Sequence, residues 1–191
     1  MSGADQRDYY RIDERASVEY KLVTSDEPYR GPAANHFDLP AGFELLKELY
    51  LLDLESREIL RKINRESLEL GHFLGNLNKR IDILGQIIIE DTSHSALDSV
   101  NLSNGGLAFR SETLLEKDLA IALKLTFDPA YLGITCYGLV RHCRLDESSH
   151  HYLIGVQFLA LDQADDTILS RYILHHQAED RRQRLREANY E

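Results

Sequence analysis

No apolar run in this sequence reaches the roughly 20 residues that a membrane-spanning helix needs. The N-terminus carries Asp5, Arg7, Asp8 and Arg11 where a secretory leader would be apolar. A cytoplasmic protein without membrane insertion is expected. Cysteine is scarce: Cys136 and Cys143 lie on one expected strand, and extended backbone holds them too far apart for a disulfide. Basic residues are outnumbered, 22 Lys plus Arg against 32 Asp plus Glu, for a net charge of −10. That balance argues against a duplex nucleic acid partner, which is held largely by neutralising phosphates. A small anion gripped by two or three local arginines stays compatible with it. Also missing are a Ser-His-Asp elbow, a phosphate-cradling glycine loop and a paired-carboxylate setting, so neither an enzyme nor a cofactor is expected. The histidine pairs His150-His151 and His175-His176 lack convergent Cys, Asp or Glu spacing and read as surface residues, so no metal site is expected.

What is present is a heptad pattern. The chain has 191 residues and an apolar fraction of 43%, enough for one domain with an ordered appendage. Over residues 60–88 the a positions are Leu60, Ser67, Leu74, Ile81 and Ile88, and the d positions are Ile63, Leu70, Leu77 and Leu84. Only Ser67 interrupts the seam. This spacing predicts one long helix that meets other helices and makes an oligomer. The g positions Glu66, Phe73, Arg80 and Ile87 and the e positions Asn64, Gly71, Asn78 and Gly85 lack the charge pairs of a two-stranded coil, so more than two strands are expected. The glycines cost about 1 kcal/mol each against alanine in a helix interior, a cost that packing must offset. Folding of the helix back onto its own domain is the alternative.

Residues 1–15 are polar, with Arg7, Arg11 and Arg15 four apart, and read as a flexible arm ahead of a domain over 16–191. Residues 16–24 alternate Val18, Tyr20 and Leu22 against Glu19 and Lys21, the pattern of a half-buried strand. A loop with Pro28, Gly31, Pro32 and Pro40 follows, then a short helix marked by Phe43, Leu46, Leu49 and Tyr50 ahead of the long one. Together residues 36–92 make a helical oligomerisation insertion. Beyond it the period changes to 2. Strands flank Asn104-Gly105, a strong hairpin signal, and further strands follow over 119–127, 134–145 and 152–158. Consecutive antiparallel strands with short turns make a barrel or a strongly bent sheet. Residues 163–186 form a C-terminal helix with Ile168, Tyr172, Ile173 and His176 turned inward. The fold class is thus an all-β core with a helical insertion (α+β), in which the first strand must pair with the later ones.

Two motifs stand at strand boundaries: Arg7-Asp8-Tyr9-Tyr10-Arg11 before the first strand and Asn101-Leu102-Ser103-Asn104-Gly105-Gly106 at the first hairpin. They resemble the Arg-x-x-x-Arg and Asp/Asn-x-Ser-x-x-Gly signatures of PilZ domains, and Ile154-Gly155-Val156-Gln157-Phe158 resembles the family's Gly-Val-x-Phe strand. The roughly 70 residues between the first strand and the second motif depart from plain PilZ domains. They are similar to the tetrameric type, in which a long heptad helix inserted there assembles four chains. The resemblance implies an antiparallel PilZ-like β-barrel, a long coiled-coil helix, a C-terminal helix, and a bacterial receptor for the second messenger cyclic di-GMP.

That ligand's chemistry fits the motif residues. An arginine fork binds phosphate oxygens or pairs with guanine O6 and N7, which makes Arg7 and Arg11 the candidates, with Arg11 and Arg15 as a second possible pair. The guanine N1 and N2 donors need acceptors such as Asn101 and Ser103. Gly105 and Gly106 remove side chains where backbone must come close. The expected protein is a cyclic di-GMP receptor that relays the signal to a protein partner the sequence does not identify, assembled through Leu60, Ile63, Leu70, Leu74, Leu77, Ile81, Leu84 and Ile88. The alternative is an oligomerisation scaffold with vestigial ligand motifs.

Overall fold

A computed structural model describes residues 10–23, 31–92, 96–127, 132–161 and 163–187. Six strands carry the core: β1 (Ile12–Leu22), β2 (Asp98–Ser103), β3 (Gly106–Ser111), β4 (Ala120–Phe127), β5 (Leu132–Asp146) and β6 (His151–Ala160). They close into an antiparallel barrel in the order β1-β2-β3-β6-β5-β4. Three long helices accompany it: α1 (Ala41–Glu66), α2 (Leu68–Thr92) and α3 (Gln163–Glu187). A PilZ-like β-barrel with a helical insertion and a C-terminal helix is therefore the fold.

The barrel follows from period-2 patterning. On β4 the residues Ile121, Leu123, Leu125 and Phe127 point into the core, where they meet Ile134 and Cys136 of β5 and Ile154 and Val156 of β6. The alternate positions Ala122, Lys124 and Thr126 are buried too. They sit under a 3-10 turn over Ala33–His36 and under the first turns of α1, where Phe43, Leu46 and Tyr50 are buried. Lys124 reaches Glu19 at 2.8 Å across the β1–β4 pair and stands 5.9 Å from the centre of the Phe43 ring. A buried lysine is tolerated because its charge is paired. Gly133 belongs to the same packing: a Cβ there would come 2.8 Å from the Phe43 ring. On β5, burial pushes the Cys136 thiol well up, in keeping with an inert core cysteine.

β1 starts at Ile12, ahead of the expected residue 16. Pairing with β2, from Ile12↔Leu102 to Ala16↔Asp98, recruits charged residues whose own pattern gives no strand signal. From Ala16 onward the same strand pairs with β4.

The insertion corrects the expectation of one continuous helix over 60–88. The chain breaks at Ser67 (φ −145°, ψ 106°), the one polar position of the heptad seam. Ser67 N–H closes α1 on the Ile63 carbonyl at 2.8 Å, and Ser67 Oγ accepts from Leu70 N–H at 3.3 Å. Serine competes for backbone hydrogen bonds in this way, so it favours helix starts over helix interiors. The chain then reverses. A Cβ on Gly71 would lie 3.1 Å from the Asn64 Cα, and Asp82 is raised by burial and by Asp53 on the facing helix. Leu60 and Ile63 therefore lie on one arm of a helical hairpin, and Leu70, Leu74, Leu77, Ile81, Leu84 and Ile88 on the other. The short helix expected around residues 43–50 is the start of α1.

α3 buries Ile168, Leu169, Tyr172 and Ile173 against the barrel. His175, expected at the surface, and His176, which the helix period turns inward, are both partly covered. His176 Nδ1 stands 2.8 Å from Glu14 Oε1 on β1, and this contact raises the His176 pKa above its ordinary 6.5. His175 moves the other way, chiefly through burial. A raised histidine stabilises the fold most below the unfolded pKa, near pH 6.5, and loses that contribution as pH climbs through the folded value. The melting-temperature gap between wild type and His176→Gln should thus be wider at about pH 6 than at about pH 8.5. A gap that is constant, or that widens on the alkaline side, contradicts the pairing.

Candidate functional site

The β1–β2 register carries the N-terminal arm to the β2–β3 hairpin, since Asp13 pairs with Asn101 and Ile12 with Leu102. Arg11 therefore leaves the barrel beside the second motif. Its Nη1 donates to Asn101 Oδ1 at 2.8 Å, and Asn101 Nδ2 donates to Asp13 Oδ1 at 2.7 Å. The amide serves both neighbours, because it accepts from the cation with one atom and donates to the carboxylate with the other. An aspartate at 101 would set two carboxylates together.

Ser103, Asn104, Gly105 and Gly106 form the hairpin. Ser103 is 2% exposed and its Oγ donates to the Gly106 carbonyl at 3.2 Å, holding the turn from inside. The Gly105 carbonyl accepts from Phe158 N–H at 3.0 Å, which ties the hairpin to β6. At Gly106 the absence of a side chain is required by close approach: a Cβ would collide with the Val156 carbonyl oxygen. Asn104 Oδ1 is buried with no hydrogen-bond partner among the described residues.

Between this hairpin, β5 and β6 lies an open cleft of about 740 Å³, reaching the first turn of α3. That volume is in the range of small-molecule sites. Arg11, Ser103 and Gly106 line it, and Asn101 stands behind Arg11 as its acceptor. Arg7 lies outside the described residues, and Arg15 is exposed on β1, away from the cleft lining.

The opposite wall is one the sequence did not disclose. Arg141 and His142 are consecutive on β5, yet both face the cleft. Neighbours on a regular strand point to opposite sides, but the β5–β6 register shifts between Val140 and His142, and such a bulge re-aims side chains. Arg141 donates from Nε to Gln157 Oε1 at 2.7 Å and from Nη1 to Asp118 Oδ1 at 3.2 Å. Gly155 makes room for the His142 ring, which a Cβ there would strike. Only the glycine of the Gly-Val-x-Phe strand hinted at this wall. Among the described residues, no three His, Cys, Asp or Glu side chains come together as a metal site would require.

The cleft thus has a guanidinium on each side, an unpartnered acceptor at the hairpin and backbone made accessible by glycines. It can hold a planar, hydrogen-bonding anion.

The structure of a tetrameric PilZ domain protein from Xanthomonas campestris, self-assembled via a helical bundle, superposes with a TM-score of 0.58 at 13% identity, over 91% of each chain. The Bacillus subtilis inhibitor of motility MotI/DgrA matches 46% of this chain and 44% of its own, at 16% identity and a TM-score of 0.39. K. pneumonia MrkH in complex with c-di-GMP matches 47% of this chain and 44% of its own, at 20% identity and a TM-score of 0.38. No curated protein sequence matches significantly. The family described as PilZ domain matches residues 77–175, just over half of the chain, which spans the hairpin motif, the Gly-Val-x-Phe strand and the start of α3. The chain belongs to the PilZ domain family.

Proposed function

We propose that this protein is a receptor for cyclic di-GMP, which binds in the cleft between the β2–β3 hairpin and the β5–β6 wall. The observation that carries this reading is Arg11 held by Asn101 at the rim of a cleft whose far side presents Arg141. Arg7 and Arg11 grip phosphate oxygens or a guanine O6/N7 edge. Asn101 Oδ1 has a second lone pair for a guanine N–H while it holds Arg11, and Asn104 Oδ1 is an acceptor without a partner among the described residues. Ser103 keeps the hairpin in shape, and Gly106 lets it lie against β6. On this reading Arg141 exchanges Asp118 or Gln157 for the ligand. The arm settles over the bound ligand, and the changed surface is read by a partner protein in the cytoplasm.

Self-assembly accompanies binding. Leu70, Phe73, Leu77, Ile81, Leu84 and Ile87 of α2 remain exposed, Phe73 and Leu84 at 61% each. Residues so apolar on one long helix call for cover by other helices. The Xanthomonas protein of the same fold is a tetramer built through a helical bundle, and the hairpin α1–α2 would supply that bundle here. The same exposed helix is what favours the second reading, an assembly scaffold whose ligand motifs are vestigial.

Two outcomes are expected. In titration calorimetry at physiological salt, cyclic di-GMP binds saturably while GTP and cyclic di-AMP do not. Arg7→Ala with Arg11→Ala weakens that binding at least tenfold with the oligomer unchanged, each lost charge-assisted pair being worth about 1.5–3 kcal/mol. Binding unaffected by the double substitution would refute the receptor geometry, and no binding by the wild type would leave the scaffold. For assembly, Leu77→Ser with Leu84→Ser should yield smaller species in sedimentation. Oligomer size unchanged by those substitutions would remove α2 as the interface.

A further inference from the structure

A second cleft, of about 580 Å³, lies between α1 and α3. Tyr50, Arg57 and Arg61 of α1 face Tyr172, His175 and Arg182 of α3 across it. The two helices are pinned there by an edge-on contact of the Tyr50 and Tyr172 rings at 5.8 Å and by Arg57 Nη1, 3.0 Å from His175 Nε2.

The charges in this cleft run against the protein as a whole, which is acidic at −10. Arg57 is engaged by Asp53 at 2.6 Å, but Arg61 and Arg182 have no carboxylate within ion-pair distance among the described residues. Among the described residues Arg61 donates only from its Nε, to the Arg57 carbonyl at 3.3 Å. Arg57 and Arg182 both act to lower the pKa of His175, so the cations converge. The opposing charges are Glu179, 3.5 Å from His175, and Glu14, taken up by His176. Tyr50 lines the cleft and is 2% exposed, and its hydroxyl is buried with no partner among the described residues. A buried hydroxyl left unpaired costs about 1–3 kcal/mol, so a donor held in this state is offered to something.

We infer that the α1–α3 cleft binds a phosphate-bearing small molecule, gripped by Arg61 and Arg182 and hydrogen-bonded by the Tyr50 hydroxyl. Several forked cations and a phenol supply more donors than one carboxylate accepts, whereas a phosphate ester carries close to two charges and three acceptor oxygens. The volume exceeds that of a bare phosphate, leaving space for the group esterified to it. The site shares no lining residue with the barrel cleft and stands independently of what binds there.

Inorganic pyrophosphate is the probe, titrated into the full chain with chloride at matched ionic strength as control and followed by thermal melting and calorimetry. Wild type should be stabilised saturably. Arg61→Gln with Arg182→Gln should lose at least tenfold in affinity. Tyr50→Phe should bind severalfold more weakly while the unliganded protein melts no lower than wild type, since no internal partner is lost. Arg11→Ala should bind pyrophosphate as wild type does. A response equal to that of chloride, one that survives the double arginine substitution, or one abolished by Arg11→Ala would overturn the assignment. So would a double substitution that changes oligomer size and not binding, because the cleft would then belong to a neighbouring copy.

Discussion

The structure depends on one strand shared between two neighbours. β1 pairs with β2 up to Ala16 and with β4 from Ala16 on, so that this fully buried alanine faces Asp98 in one ladder and Phe127 in the other. A closed barrel has no free edge to protect, and closing it through β1 obliges the segment joining β1 to β2 to run outside. That segment is the α1–α2 hairpin, and its start covers the barrel wall with Phe43, which lies against Gly133 of β5 and near Lys124 of β4. The same closure delivers Arg11 to Asn101, residues ninety apart in sequence.

The helices are also tied to the arm. Tyr10 donates to Asp180 on α3 at 3.0 Å, Glu14 holds His176 one turn earlier, and His175 meets Arg57 of α1. Arg11 thus stands at a strand end whose neighbours Tyr10 and Glu14 contact α3. α3 in turn lines both clefts, through Gln163 and Asp166 at its start and through His175 and Arg182 further on. These contacts join the arm to α3 and, through His175, to α1.

Much of this was legible in the residues. Alternation on Leu119 to Phe127 and the Asn-Gly turn identified the strands, and the two motifs identified which strand ends would meet. Ser67 was visible as the one polar seam position, but heptad spacing runs through a reversed hairpin as readily as through a straight helix, so period alone did not show the turn. The wall formed by Arg141 and His142 was hidden because it depends on a bulge, a two-against-one pairing set jointly by β5 and β6 and by the room Gly155 leaves. The Arg57, Arg182 and histidine cleft was hidden for a similar reason: its residues sit on separate helices whose docking against the barrel is set by tertiary packing.

The central claim is that cyclic di-GMP occupies the barrel cleft under the arm, and hydrogen exchange with and without the ligand tests it residue by residue. The account predicts slower exchange at the amides of residues 10–12, 101–106, 141–142 and 155–158, with the rest of the barrel unchanged. Protection confined to the helical hairpin, or no protection at saturating ligand, would contradict it.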